Sequence, residues 1–364
     1  MDLQKINSDE LIRMYHAAES DRVIFNNEQS ARKIALNSLF GACGNPYFIF
    51  FDKRLAEAIT LTGQGILMWL RERMNEYISK LTGVKDTWVV YADTDSIYIN
   101  MSAIVEKFCK KNTDAEITDF LNKICEEAIS PFIAKQCEAL CELLNASEMS
   151  LSMKREAICK QAFWVARKKY ALQVMDIEGV RYETPEIKIM GLESVRSDRS
   201  NHVRDSLEEC IELMFTSDES GVRAKVKTIK TDFKKLDFEM IARPTGVNGI
   251  KKYQTTQEPG YILGTPYHVK AAIVYNRLLD KFKLNALYEK IKDGDKIKLL
   301  AMKKPNKEHV DMIAFIDKFP PEFGMNKYVD YDAQMVAFIT PIANYMEAVG
   351  WNLVEVSTID GLFE

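Results

Sequence analysis

The chain has 364 residues, 47% of them hydrophobic and 28% charged, and carries a formal net charge of −4. That length and balance suit a soluble globular protein of two or three domains, and the acidic excess means that any grip on nucleic acid must come from local basic patches. Seven cysteines, an odd number without zinc-type spacing, argue against a disulfide framework, and no apolar run approaches the ~20 residues that span a bilayer, so an intracellular protein with no membrane partner is expected.

Residues 8 to 44 read as helical with an interruption: Ser8 is placed to cap a first helix through Leu11, Ile12, Met14 and Tyr15, and a second runs from about Asn27 to Gly41. In the second, Lys33, Asn37, Phe40 and Gly41 fall at i, i+4, i+7 and i+8, on one face. An ammonium, an amide, a flat ring and a spot without a side chain suit an incoming nucleoside triphosphate, although an ordinary amphipathic helix gives the same pattern. After Asn45-Pro46 a long helix is expected from about Leu55 to Leu81, stopped by Gly83.

Next comes Trp88-Val89-Val90-Tyr91-Ala92-Asp93-Thr94-Asp95-Ser96-Ile97-Tyr98-Ile99. Aromatic and β-branched runs on both sides of a polar tetrapeptide predict a β-hairpin packed on the preceding helix, with Asp93 and Asp95 at its tip. Residues two apart on a strand project to one side, so two carboxylates are expected together with no adjacent cation in sequence. Hard divalent ions such as Mg2+ answer that arrangement; a solvated Asp-Thr-Asp turn is the bland alternative.

Residues 114 to 145 read as helical packing, with Cys137 and Cys141 on a helix face. A strand from Lys169 to Met175 is expected to turn at Asp176-Ile177-Glu178-Gly179 and return through Val180-Arg181-Tyr182. Of the cations Arg167, Lys168 and Lys169, strand alternation allows only some to reach one phosphate backbone. Asp176-x-Glu178 has the spacing of a nuclease carboxylate pair, but its place on a turn argues against that use. The cluster Arg223, Lys225, Lys227, Lys230, Lys234 and Lys235 reads as a solvated helix face. Beyond Glu193 the chain reads mainly as helices, one capped by Asn201 and another from Val269 to Leu279, so the fold class expected is α+β.

Tyr91-Ala92-Asp93-Thr94-Asp95-Ser96 resembles the palm motif of family B DNA polymerases. Lys33-Ile34-Ala35-Leu36-Asn37-Ser38-Leu39-Phe40-Gly41 looks like the fingers motif Lys-x-x-x-Asn-Ser-x-Tyr-Gly of the same family, with Phe40 where tyrosine is usual. Arg167-Lys168-Lys169-Tyr170 resembles the motif that holds the primer-template duplex, Glu156 matches a further palm carboxylate of phage members, and Ile189 to Glu193, Pro266 to Val269 and Gly294 to Ile297 resemble the thumb of T-even-type bacteriophage polymerases. The resemblance implies the second half of the fingers at 1–45, a palm with an antiparallel sheet on helices at 46–191, a mainly helical thumb at 192–355 and a clamp-binding tail at 356–364. It implies Asp93 and Asp95 as ligands of two Mg2+ ions, Glu156 as auxiliary, and Lys33, Asn37, Phe40 and Gly41 around the nucleotide. Arg167, Lys168, Lys169 and Tyr170, with Arg196 and Arg199, would lie on DNA. Ile359, Leu362 and Phe363, at i, i+3 and i+4, suit an anchor on a sliding clamp, and a frayed tail explains them equally.

The family's Asp-x-x-Ser-Leu-Tyr-Pro-Ser motif is not found in the sequence, nor are an exonuclease domain or the first fingers helix. Two-ion nucleotidyl transfer needs a fuller carboxylate set than Asp93 and Asp95. The expectation is therefore a C-terminal subunit of a split phage polymerase, inactive until an N-terminal chain supplies the missing palm aspartate. It would act on primer-template DNA and deoxynucleoside triphosphates in the cytoplasm of an infected bacterium. A non-catalytic DNA-binding and clamp-tethering module is the alternative, and a piece of one longer polypeptide is a third.

Overall fold

A computed structural model of the chain describes residues 7–111, 113–149, 151–257 and 259–353. The residues expected to anchor a clamp, Ile359, Leu362 and Phe363, lie outside the described residues. The fold is α+β, and it divides into two compact units between Arg155 and Glu156, inside the segment 46–191 expected to form one palm.

The first unit begins with α1 (Ser8–Cys43), one unbroken helix of 36 residues capped by Asn7, whose side chain accepts the Glu10 N–H at 2.8 Å. The expected interruption does not occur, and Ser8 is the first helical residue rather than the cap. No glycine or proline stands between Ser8 and Leu39, and the Asp and Asn residues there cost only tenths of a kcal/mol each (~0.5–0.7) in helix propensity. No residue of α1 is buried.

α2 (Lys53–Thr82) is capped by Asp52 and ended by Gly83 at φ 81°, a left-handed position that glycine takes without steric cost. Its buried residues Leu70, Met74, Ile78 and Thr82 recur every four positions and face the hairpin of β1 (Val89–Asp93) and β2 (Ser96–Ile99). The Asn75 carboxamide oxygen accepts both the Trp88 and Val89 N–H groups at 2.8 Å, and the Trp88 indole donates to Ser79 Oγ at 3.0 Å. The hairpin is thus locked to α2 at its root, as the sequence order suggested. α3 (Ser102–Phe108) follows, then α4 (Asp114–Ile124), a π turn at Cys125–Ile129 and α5 (Ser130–Leu143). Pro131 has no N–H for the carbonyl four residues back, which accounts for the wider turn in the predicted 114–145 helix.

The second unit opens with an antiparallel sheet of β3 (Ala157–Ala166), β4 (Lys169–Ile177) and β5 (Val180–Met190) in that order. It continues through α6 (Asn201–Thr216), capped by Ser200 rather than Asn201, α7 (Glu219–Phe233), α8 (Phe238–Ile241), β6 (Arg243–Gly246), α9 (Ile250–Tyr253) and α10 (Tyr267–Phe282). β7 (Lys296–Ala301), β8 (Met312–Phe315) and α11 (Tyr331–Ala348) complete it. Strands β6, β7 and β8 form a second antiparallel sheet that sequence reading did not anticipate in a region taken as helical. With four to six residues each they are too short to display alternation, and their pairing joins segments far apart in the chain.

The core of this unit brings β7 and β8 against α10, which buries eight residues, and against α6, α7 and α11. Each fully buried Leu, Ile or Phe there contributes ~1.5–3 kcal/mol relative to exposure. α7 buries Val222, Val226, Ile229 and Phe233, while Lys225 pairs outward with Glu209 at 2.6 Å and Lys234, just past the helix end, with Asp332 at 2.9 Å. That is the solvated face expected. All seven cysteines are free thiols, and no helix among the described residues is long and apolar enough to cross a membrane.

Candidate functional site

Asp93 is the last residue of β1, paired with Ser96, while Thr94 and Asp95 form the turn itself. The expectation that strand alternation brings the two carboxylates to one side is therefore corrected: one lies on the strand and the other on the loop. The Asp95 N–H donates to the Asp93 carbonyl at 2.6 Å across Thr94, whose φ is 51°. A bond from i+2 back to i around a positive φ is the rarer, strained γ-turn, and a β-branched residue there stores ~1–2 kcal/mol.

The tip holds Asp93 firmly. Thr94 Oγ1 donates to Asp93 Oδ1 at 3.0 Å, the Tyr91 hydroxyl to Oδ2 at 3.4 Å, and Ser96 Oγ to the Asp93 carbonyl at 3.1 Å. Asp95 is exposed. No group of three or more His, Cys, Asp or Glu side chains suited to a metal occurs among the described residues. Mg2+ commonly takes one or two protein carboxylates and completes its shell with water and substrate phosphates, so an oriented Asp93 beside an exposed Asp95 fits part of such a shell.

On α1, also in the first unit, Lys33, Asn37, Phe40 and Gly41 are all exposed, with Phe40 at 42%. A Cβ built on Gly41 would meet no atom within 4 Å. Packing within the chain does not demand glycine there, although glycine in a helix costs about 1 kcal/mol relative to alanine.

In the second unit Arg167 and Lys168 form the two-residue turn between β3 and β4, with Lys168 at φ 61°, so neither lies on a strand as expected. Both are exposed at the hairpin tip. Lys169 pairs with Glu193 at 2.6 Å, and Glu193 also accepts the Tyr345 hydroxyl at 2.9 Å while its own N–H donates to that hydroxyl oxygen at 2.9 Å. Burial by itself would raise the Glu193 carboxyl, but the bonds from Lys169 and Tyr345 outweigh it and hold the group below its usual value. Burial, reinforced by that carboxylate, pushes the Tyr345 phenol far above its ordinary range. Tyr170 is 8% exposed, and its ring centroid lies 6.2 Å from that of Trp164.

Gly191 sets the position of this turn. At φ 65° it passes so close to the turn that a Cβ on it would stand 2.2 Å from the Lys168 carbonyl oxygen. Glu156, at the root of β3, pairs across the sheet with Lys188 at 3.1 Å and is largely exposed. Asp176 is buried on β4, accepts the Gly179 N–H at 3.0 Å and lies 3.5 Å from Arg181, a fastening for the β4–β5 turn in keeping with the rejection of a nuclease role. Arg196 grips Asp198 with two bonds of 3.0 and 3.1 Å, and Arg199 approaches the same carboxylate at 3.5 Å. Asn75, Glu193 and Tyr345, which orient these elements, escaped sequence reading because they meet their partners only after folding.

A family model described as DNA polymerase family B matches residues 11–349. Among curated relatives, the DNA-directed DNA polymerase of Enterobacteria phage T4 is 30% identical over 95% of this chain and 40% of its own length. That of Escherichia phage RB69 is 33% identical over 84% of this chain and 34% of its own length. The DNA polymerase alpha catalytic subunit of Xenopus laevis is 26% identical over 48% of this chain and 10% of its own. The chain spans at most about two fifths of the length of these relatives.

Proposed function

The chain belongs to DNA polymerase family B, and from that premise we propose that it is the C-terminal part of a replicative DNA-directed DNA polymerase, completed by a separate N-terminal polypeptide. The observation that carries this reading is the hairpin tip, where the hydroxyls of Tyr91 and Thr94 donate to the Asp93 carboxylate, that of Ser96 to its backbone carbonyl, and Asp95 stands exposed beside it. Asp93 and Asp95 would hold part of the shell of two magnesium ions, which would supply activation of the primer 3'-hydroxyl and charge neutralisation at the triphosphate. Asp95 is the chief ligand from this chain, and Asp93 assists. The further carboxylate that such a seat calls for is assigned to the N-terminal polypeptide.

In this reading Lys33 holds triphosphate oxygens, Asn37 offers a hydrogen bond, Phe40 lies against the nascent base pair and Gly41 lets the substrate approach. Arg167 and Lys168 touch the duplex backbone from their turn, Lys169 acts through its pair with Glu193, and Arg196 and Arg199 extend the contact. Glu156, tied to Lys188, has at most an auxiliary part. Fingers, palm and thumb correspond to 1–45, 46–191 and 192–355, with a clamp-binding tail at 356–364. A partner chain is favoured by α1, which buries none of its residues and exposes Leu11, Ile12, Ile24, Phe25, Leu36 and Leu39. The place of action is the cytoplasm of an infected host.

Primer extension with Mg2+ tests this, using the chain alone, a matching N-terminal chain alone, and the two mixed. Extension confined to the mixture supports the reading, and Asp95→Asn in the mixture should abolish it. Extension at wild-type rate by Asp95→Asn would refute the metal role. Silence in the mixture, with duplex DNA still retarded on a gel, would favour a non-catalytic DNA-binding and clamp-tethering module.

A further inference from the structure

Arg196 and Arg199 do not stand alone. Arg243, at the start of β6 and more than forty residues onward, brings its guanidinium to 3.5 Å from Asp198 Oδ2, the oxygen that Arg196 and Arg199 also approach, at 3.1 and 3.5 Å. Three guanidiniums thus approach one carboxylate at the amino end of α6. The arrangement is only half satisfied. Arg199 Nε and Arg243 Nε are buried without a hydrogen-bond partner, and the two 3.5 Å approaches are long for charge-assisted bonds, which run to ~2.7–2.9 Å. Guanidinium donors removed from water and left without acceptors are costly to a fold that gains nothing from them. An anion larger than a carboxylate, with several oxygens, would meet them.

We propose that Arg196, Arg199 and Arg243 form a seat for one backbone phosphate of duplex DNA, with Asp198 holding the three guanidiniums together in the free protein and yielding part of its hold when the phosphate enters. The inference rests on the DNA-binding reading above and adds to it a residue from a distant strand and an internal anion that competes with DNA. Arginine suits this task because its planar fork offers paired donors to phosphate oxygens and keeps its charge at any working pH. Such a contact is blind to base sequence and sensitive to salt.

The test is fluorescence anisotropy of a labelled primer-template duplex titrated with the whole chain across a NaCl series, with thermal melts of each variant as a check on folding. Arg243→Gln should weaken binding and lower the slope of log K against log salt by up to about 0.9, the value for one whole phosphate contact. Arg196→Gln, at a more exposed position, should do the same with less risk to the fold. Asp198→Asn should bind several-fold more tightly at low salt, because the competing charge is gone while an amide oxygen still accepts from the arginines. An unchanged slope in both arginine variants, or weaker binding by a well-folded Asp198→Asn, would overturn the seat. If the wild-type chain binds no duplex, a thermal melt with inorganic phosphate at constant ionic strength separates the two failures. Stabilisation lost in Arg243→Gln would leave the arginine seat standing and sink its DNA ligand, while no stabilisation would sink both.

Discussion

Replacing Gly191 by alanine would set a methyl carbon 2.2 Å from the Lys168 carbonyl oxygen and force a residue with a β-carbon to hold φ 65°. The left-handed conformation costs ~1–2 kcal/mol for a residue other than glycine. The clash cannot be relieved by a side-chain rotation because the obstructing atom is backbone, so the β3–β4 turn must retreat by about 1 Å to reach ordinary contact, and overpacking of this kind typically costs ~1–3 kcal/mol. The sum is about 2–5 kcal/mol. Gly179, in the neighbouring turn of the same sheet, is the control: its φ is 92°, but a Cβ there meets nothing within 4 Å, so Gly179→Ala should cost only the conformational part. Urea denaturation of the two variants and the wild type measures the difference, which should be at least about 1 kcal/mol, or ~2–4 °C in melting temperature for a unit of this size. Equal midpoints for the two variants would refute the claim that Gly191 exists to let β5 pass the Lys168 turn.

Asn75→Ala removes the one oxygen that accepts both the Trp88 and Val89 N–H groups and should destabilise the first unit by about 2 kcal/mol, read by Trp fluorescence during urea unfolding; a loss under about 0.5 kcal/mol would mean that the hairpin root is held otherwise. Thr94→Gly should leave stability within about 0.5 kcal/mol, since relief of the γ-turn is offset by the flexibility of glycine, yet lower primer extension in the two-chain mixture because Asp93 loses its hydroxyl tether. Undiminished extension would remove Thr94 from the site. The Glu193 carboxyl is held below its unfolded value, so its contribution is fully present above that value, ~4.3, and is lost as pH falls through the folded one. Urea midpoints compared between wild type and Glu193→Gln should therefore converge as the solution is acidified through that lowered folded value, and a gap that did not narrow with acidification would contradict the assignment.

Much of the molecule follows from local signals. Gly83 ends α2 because a left-handed cap is cheapest for glycine, the four-residue recurrence of Leu70, Met74 and Ile78 buries one helix face, and the aromatic and β-branched runs around Asp93 and Asp95 can only be a hairpin. These depend on neighbours within a few positions, so sequence alone settled the α+β class, the long second helix, the hairpin and the motifs by which the family is recognised. What it could not settle is where residues distant in the chain meet. The burial of Tyr170 and the pairing of Lys169 with Glu193, which Tyr345 reaches across 152 positions, left no mark in the sequence. The sheet of β6, β7 and β8, and the approach of Arg243 to Asp198, likewise exist only once the second unit has closed its core. Chain order records the pattern of each element but not the pairing between elements. Hydrogen bonds and ion pairs across such separations leave no period to read, so which cations face solvent and which are spoken for was decided by tertiary packing.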